Sequence, residues 1–392
     1  VDAPPRFLLH AASGPDRAGA LERVDADWSV QLGGTEPVRV AGAEVVSLRR
    51  EGVPPPESPR GPLVRLTSGD RLPGRLVAVE RDGVRFAAQL QAGPERTELR
   101  LPWSVVAVLW PEGPPAGAEG RPAGLDEPRE RDVVVLRNGD VLTGTLAGPG
   151  PEGRTVQIDE GGRPRPVDLD QITAVAPNTK LARSLRPRRG AAFGRLVLRN
   201  GARVSLASAQ AADGVLTGRA LFGADVRVPV AEVVALDLFG GPAVYLSDLT
   251  PRRYEHTPFL GLPWPYRNDR TVEGHELRLA GGTYDKGLGL HSQGRITYEL
   301  PAGAKRFEAL VGVDERDGVN PQTGQAGSVR IQVLLDGKPA DLGPDRELTW
   351  ADGPRPVRVE LGGARELTLV VNFGRGGDVL DRVDWADARV IK

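Results

Sequence analysis

Val133-Val134-Val135-Leu136-Arg137-Asn138-Gly139-Asp140-Val141-Leu142-Thr143-Gly144-Thr145-Leu146 reads as two apolar runs hinged on Asn-Gly. Two apolar runs on either side of Asn-Gly are the strongest short-range signal for a β-hairpin, and they predict positive φ at both turn residues. A Val-rich closing strand follows at Val167-Asp168-Leu169-Asp170-Gln171-Ile172-Thr173-Ala174-Val175. The same grammar occurs at Leu63-Val64-Arg65-Leu66-Thr67-Ser68-Gly69-Asp70, closing through Val105-Val106-Ala107-Val108-Leu109. It returns at Leu196-Val197-Leu198-Arg199-Asn200-Gly201-Ala202-Arg203-Val204, closing at Val233-Val234-Ala235-Leu236. A degenerate first copy starts at Phe7-Leu8-Leu9 and closes over residues 38–48.

Working outward, the repeats occupy residues 1–52, 62–111, 132–178 and 194–241. Units of roughly 45 residues are too short for sandwiches and suit bent barrels of about five strands. They resemble Sm-like or SH3-like small barrels in pattern alone. Proline-rich residues 53–62 predict a stiff spacer, and residues 112–131 a looser Pro/Gly linker, so the repeats read as a modular stalk. The basic stretch 183–189 reads as a solvated connector or as a contact for phosphate or acidic glycan.

Composition limits what such a chain can do. It has 392 residues, 40% hydrophobic and 26% charged, with 50 Gly and 35 Pro but no collagen period. Lys and Arg number 51 against 52 Asp and Glu, which gives no basic face for nucleic acid. Without Cys there is no disulfide, thiolate metal site or cysteine nucleophile. No apolar run is long enough for a membrane-spanning helix, so no membrane insertion is expected. The first residue is Val1, and the expectation is that a signal peptide has been removed from a secreted, periplasmic or surface protein.

From residue 242 the texture changes. An aromatic and proline-dense lead-in over residues 245–270 precedes Tyr284-Asp285-Lys286-Gly287-Leu288-Gly289-Leu290-His291-Ser292. Seven or eight alternating strands follow, which predicts a β-sandwich. Five features recur in order: the run at 284–292, Val311-Gly312-Val313-Asp314, Asp336-Gly337, Gly363-Ala364 and Asp384-Trp385-Ala386-Asp387-Ala388. Together they resemble the NPCBM family of carbohydrate-binding modules over residues 242–392. That resemblance implies a galactose-binding-like jelly roll in bacterial secreted proteins. It also implies a shallow sugar site, often for galactose-containing glycans, and frequently a structural calcium ion. The fold class is therefore all-β, with small barrel repeats followed by a sandwich.

A sugar site needs an aromatic face for the C–H surface and planar polar groups for the hydroxyls. Tyr254, Trp264 and Tyr266 are candidates for the face, and Glu255, His256, His291, Arg330 and Asn372 for the polar edge. Trp264, between two prolines, reads equally as a lid over the sandwich, and His291 as a structural hydrogen-bonding group. Trp385 reads as core. Asp381 and Asp384 offer hard oxygens to calcium, or cap a turn.

No HExxH, nucleophile elbow, phosphate loop or dinucleotide fingerprint occurs, so no enzyme activity is expected. Two readings stay open. One is an extracytoplasmic glycan-binding protein on a repeat stalk. The other is a structural subunit of a surface layer, matrix fibre or other assembly, pairing with itself or with other surface proteins through barrel edges.

Overall fold

The structure is a computed structural model, and it describes all residues except 1–3, 35, 116–124, 126–127, 151–154, 186, 188–190, 260, 262 and 344–346. Much of the predicted 112–131 linker and of the basic stretch 183–189 therefore lies outside the described residues. Regular structure is all strand apart from short 3-10 turns. No helix among the described residues is long and apolar enough to cross a membrane. The chain divides into two compact units, Val1–Gly241 and Pro242–Lys392.

The first unit repeats one five-strand plan four times. In the fourth repeat Phe193–Leu198, Arg203–Ala212, Val215–Ala220 and Asp225–Pro229 run as an antiparallel meander. Val233–Phe239 then returns to pair with the first strand. The same 5-1-2-3-4 order spans 6–50, 63–110 and 132–176. Each long second strand carries a register shift at one equivalent place: Leu21/Arg23, Leu76/Ala78, Leu146/Gly148 and Leu206/Ser208. A bulge there bends the strand, so its first half pairs with one neighbour and its second half with another.

The Asn-Gly hairpins form, but with a different turn from the one expected. Gly139 has φ 89°, and Asn138 is not among the residues with positive φ. Gly139 N–H donates to Leu136 C=O at 3.0 Å, and Leu136 N–H donates to Asp140 C=O at 2.8 Å. This is a three-residue loop, a type I turn closed by a left-handed glycine. The Asn138 side-chain oxygen accepts from Asp140 N–H at 3.0 Å, an internal bond that suits the right-handed conformation. The turns at Gly69 and Gly201 share the pattern.

The expected spacer over 53–62 proves to be bonded into the unit. Pro56 C=O accepts from Arg203 at 2.8 Å, and Ser58 Oγ accepts from Arg71 at 2.7 Å. The closing strands of repeats one and four pair, Leu236 opposite Leu48, as do those of repeats two and three, Leu109 opposite Val175. Asp70, fully buried, joins repeats two and four. Ser205 donates to it from its N–H at 3.0 Å and from its hydroxyl at 2.6 Å. Edge pairing between repeats thus replaces the beads-on-a-stalk arrangement.

The second unit is a sandwich. One sheet runs Arg267–Asn268, Gly287–His291, Arg382–Ile391, Arg306–Val313, Arg355–Glu360. The other runs Arg253–His256, Gly294–Glu299, Glu366–Phe373, Ser328–Leu335, Lys338–Pro339. The aromatic and proline-dense lead-in thus supplies an edge strand to each sheet. Leu288, Leu290, Tyr298, Phe307, Leu369 and Trp385 fill the space between, each with no exposed surface.

Replacing Asp70 with Ala strands the buried Ser205 donors. The expected cost is about 2 kcal/mol in urea unfolding of the first unit. Ala at the exposed Asp140, which holds the equivalent turn position, should cost no more than about 0.5 kcal/mol. Equal costs for the two variants would contradict the Asp70 contact.

Candidate functional site

The strand Gly287–His291 positions the site. Successive side chains point to opposite faces, so Leu288 and Leu290 enter the core while Gly287, Gly289 and His291 share the outer face. A Cβ on Gly289 would stand 2.3 Å from the Arg270 carbonyl oxygen, and one on Gly287 would stand 2.4 Å from that of Trp385. Bare Gly289 therefore lets the lead-in lie directly on the strand, with Arg267 opposite it, while bare Gly287 makes room for the neighbouring strand at Trp385. Lys286, 6% exposed, pins this contact by bridging Asp248 at 2.9 Å and Asp269 at 2.8 Å.

Where the glycines end, His291 takes a side-chain partner. The Trp264 indole stacks on its imidazole, with centroids 4.9 Å apart and planes 4° from parallel. His256 meets His291 edge-on at 5.9 Å, and its Nδ1 accepts from Trp264 N–H at 3.2 Å. The Arg382 guanidinium lies 5.6 Å from the indole centroid, a cation–π contact. It is clamped from behind by Glu273 Oε1 at 2.8 and 2.6 Å and by Asp317 C=O at 3.0 Å. Phe259, 65% exposed, stands edge-on to Phe373 at 5.9 Å. With Ser292 and residues 378–380 these side chains line a cleft of about 230 Å³.

Burial sets the charge of the cleft. It pushes the His291 imidazole down to about 4, aided by the nearby His256 and Arg382, and burial also lowers His256. Both rings are neutral at pH 7, so each can donate and accept. Behind the cleft, burial pushes the Asp381 carboxyl up to about 7. Its Oδ1 accepts from Ser328 N–H at 3.0 Å, and Oδ2 is buried without a partner. Leu380, with φ 60°, packs its carbonyl against Gly327, where a Cβ would come within 2.1 Å. The cleft thus combines an apolar ring edge with neutral imidazoles, a hydroxyl, the clamped Arg382 and Asp378.

Of the residues expected from sequence, His256, Trp264 and His291 meet in this cleft. Trp264 acts as the lid, since His291 occupies an indole face that a ligand would need. Tyr254 and Tyr266 pack on each other at 5.0 Å, and the Tyr254 hydroxyl holds the Trp264 carbonyl, so both support the cleft from below. Glu255 is exposed and paired with Arg253 at 3.5 Å. Arg330 and Asn372 face each other across two strands, and neither lines the cleft.

Asp381 and Asp384 do not share partners. Asp384, fully buried, accepts from Arg278 N–H at 2.9 Å, a donor shared with Asp314 at 3.1 Å. Burial and the neighbouring Asp314 hold its carboxyl well above the usual range. Among the described residues, no group of three or more His, Asp or Glu is placed to hold a metal ion.

Phe259, Phe373, Asp378 and Arg382 were not singled out by sequence reasoning. Phe373 adjoins the chosen Asn372, and a shift of one residue in a strand changes the face. Arg382 gave no signal beyond its place beside Asp381.

Comparison with known proteins gives this geometry a family. Residues 242–391 match the NPCBM/NEW2 domain. A "Putative endo-alpha-N-acetylgalactosaminidase" of Renibacterium salmoninarum is 28% identical over 119 residues, 30% of this chain and 7% of that protein. The chain therefore spans only a small fraction of that relative. Among solved structures, the CBM51 of Clostridium perfringens GH95, in complex with methyl-galactose, is 26% identical over 38% of this chain and 99% of that chain, with TM-score 0.33. The CBM51-2 and INT domains of C. perfringens ZmpB, in complex with GlcNAc, are 23% identical over 45% and 36% of the two chains, with TM-score 0.34.

The NPCBM/NEW2 domain should hold His291 neutral down to about pH 5. Its unfolded value lies near 6.5 and its folded value near 4, so the unfolded chain takes up the proton first. His291 therefore removes stability as pH falls from 6.5 towards 4. An NMR titration of the imidazole checks this, and a midpoint near 6.5 in the folded protein would contradict it.

Proposed function

We propose that the NPCBM/NEW2 domain binds a neutral sugar ring, without catalysis, in the cleft beneath Phe259, and that the chain is an extracytoplasmic glycan-binding protein. The observation that carries this reading is the exposed Phe259 ring standing over Phe373, opposite the clamped Arg382. A pyranose lays its C–H face on such a ring and turns its hydroxyls to planar groups. Neutral His256 and His291, Ser292 and Asp378 stand where those hydroxyls would point. The volume, about 230 Å³, is below the roughly 300–1,000 Å³ of drug-sized pockets and suits one ring.

Glycoside hydrolysis commonly uses two free carboxyl groups flanking the scissile bond. Beside this cleft Glu273 is committed to Arg382 and Asp381 holds Ser328 N–H, so Asp378 is the one carboxyl among the described lining residues, which favours recognition over turnover. The bulged five-strand repeats of the first unit are inferred to be small barrels, serving as scaffold for the sugar-binding domain.

Galactose and GlcNAc are the first probes, in calorimetric titration of the full chain. Phe259→Ala and Arg382→Ala should each weaken binding at least about ten-fold, whereas Glu255→Ala and Arg330→Ala should leave it within about two-fold. Wild-type binding by both cleft variants would overturn the site. A glycan array blank for the full chain would overturn the function. A structural calcium ion, implied by the family, predicts a lower melting temperature in EDTA, and an unchanged one would argue against it.

A further inference from the structure

Among the described residues no strand of another repeat pairs with the hairpin turn of the third repeat, and the second and fourth repeats show what such a turn can hold. In the second repeat Asp70 follows the turn glycine, and Ser205 of the fourth repeat gives it an N–H at 3.0 Å and a hydroxyl at 2.6 Å. One residue on, Arg71 pairs antiparallel with Arg203. Each of these arginines stands two places past its own turn glycine, Gly69 or Gly201. Equivalent residues facing each other antiparallel define a local two-fold, the geometry of an isologous contact. Only half of that contact is formed here. The reciprocal positions hold Ala202 and Pro73, whose side chains neither accept nor donate.

The third repeat carries both halves in one strand. Asp140 follows Gly139 as Asp70 follows Gly69, and Thr143 stands four past Gly139 as Ser205 stands four past Gly201. Register matches too, because Thr143 lies opposite Val133 as Ser205 lies opposite Arg195. The Thr143 N–H therefore points the same way as the Ser205 N–H that reaches Asp70. Asp140, Val141 and Thr143 are all exposed, Val141 by 59%. A Cβ on Gly139 meets nothing within 4 Å, whereas one on Gly201 would stand 2.3 Å from the Glu57 carbonyl oxygen. Val141–Gly144 pairs on one side with Asp132–Val135, and the pairing on the other side begins only at Thr145. Its other edge is open among the described residues, and an open edge beside an exposed valine invites a second strand.

We propose that two copies of this chain associate through residues 139–143, about a two-fold axis passing between their paired Val141 residues. Each Asp140 carboxylate accepts from the N–H and hydroxyl of the other copy's Thr143, which completes reciprocally the contact that Asp70 and Ser205 make once. This pairing stands independently of the sugar site, although a dimer would present that site twice.

The chain has no Cys, so Val141→Cys supplies a single thiol on the proposed axis. Residues directly opposite in an antiparallel pair have Cα atoms about 4.5–5.5 Å apart, within the roughly 4.4–6.8 Å of disulfides. Under mild oxidation the full-length variant should form a disulfide dimer at least about ten-fold faster than Leu181→Cys, a control exposed by 71%. Adding Asp140→Lys should return that rate to the control level without changing the melting temperature. Sedimentation of the wild-type chain should show a monomer–dimer equilibrium. Cross-linking no faster than the control, insensitivity to Asp140→Lys, or a wild-type monomer up to about 100 µM would each overturn the proposal.

Discussion

One missing side chain organises the NPCBM/NEW2 unit. Gly289 leaves the outer face of the strand Gly287–His291 flat, and the lead-in lies on it with the Arg270 carbonyl closer than any Cβ allows, while Gly287 admits the neighbouring strand at Trp385. Leu288 and Leu290, on the opposite face, tie the same strand into the core. His291, the next residue on the outer face, is where the flat surface ends. There Trp264 stacks, His256 closes in from the side, and Arg382 lies over the indole. The cleft is thus a consequence of where the glycines stop. Lys286, between Asp248 and Asp269, holds the lead-in from the other end.

The first unit solves a different problem. Each repeat is a short meander with an open edge, and open edges are a liability in isolation. Here the closing strands of repeats one and four, and of two and three, cover one another. A proline-rich connector fills the space beside the turns of repeats two and four, bonded through Pro56 and Ser58. Prolines there suit the task, because the chain must stay extended while supplying carbonyl acceptors to Arg203. Among the described residues, Asp140 of the third repeat accepts from Asn138 of its own turn, whereas Asp70 of the second accepts from the fourth.

Local chemistry made much of this legible in the sequence. Asn138-Gly139 announced a hairpin because few other pairs reverse a chain so tightly, and Trp385 announced core by its place in an alternating strand. The turn type was not legible, because it depends on the Asn138 side chain bonding its own backbone. The role of Trp264 was half visible. Flanking prolines suggested a lid, but only the fold shows that His291 takes the indole face. Arg330 and Asn372 were chosen for their chemistry, yet strand register aims them away from the cleft, while Arg382 and Phe373 enter it. The spacer over 53–62 misled because proline content reports stiffness and says nothing of what a stiff segment packs against.

The flat strand at Gly289 carries the lead-in and, through it, the cleft. Gly289→Ala tests it, read by hydrogen–deuterium exchange over residues 263–272 and over the core strands Gly294–Glu299 and Glu366–Phe373. Its Cβ would meet the Arg270 carbonyl oxygen at 2.3 Å, so the lead-in must lift away. Residues 263–272 should lose protection while both core strands keep theirs. Unchanged protection across 263–272 would contradict this.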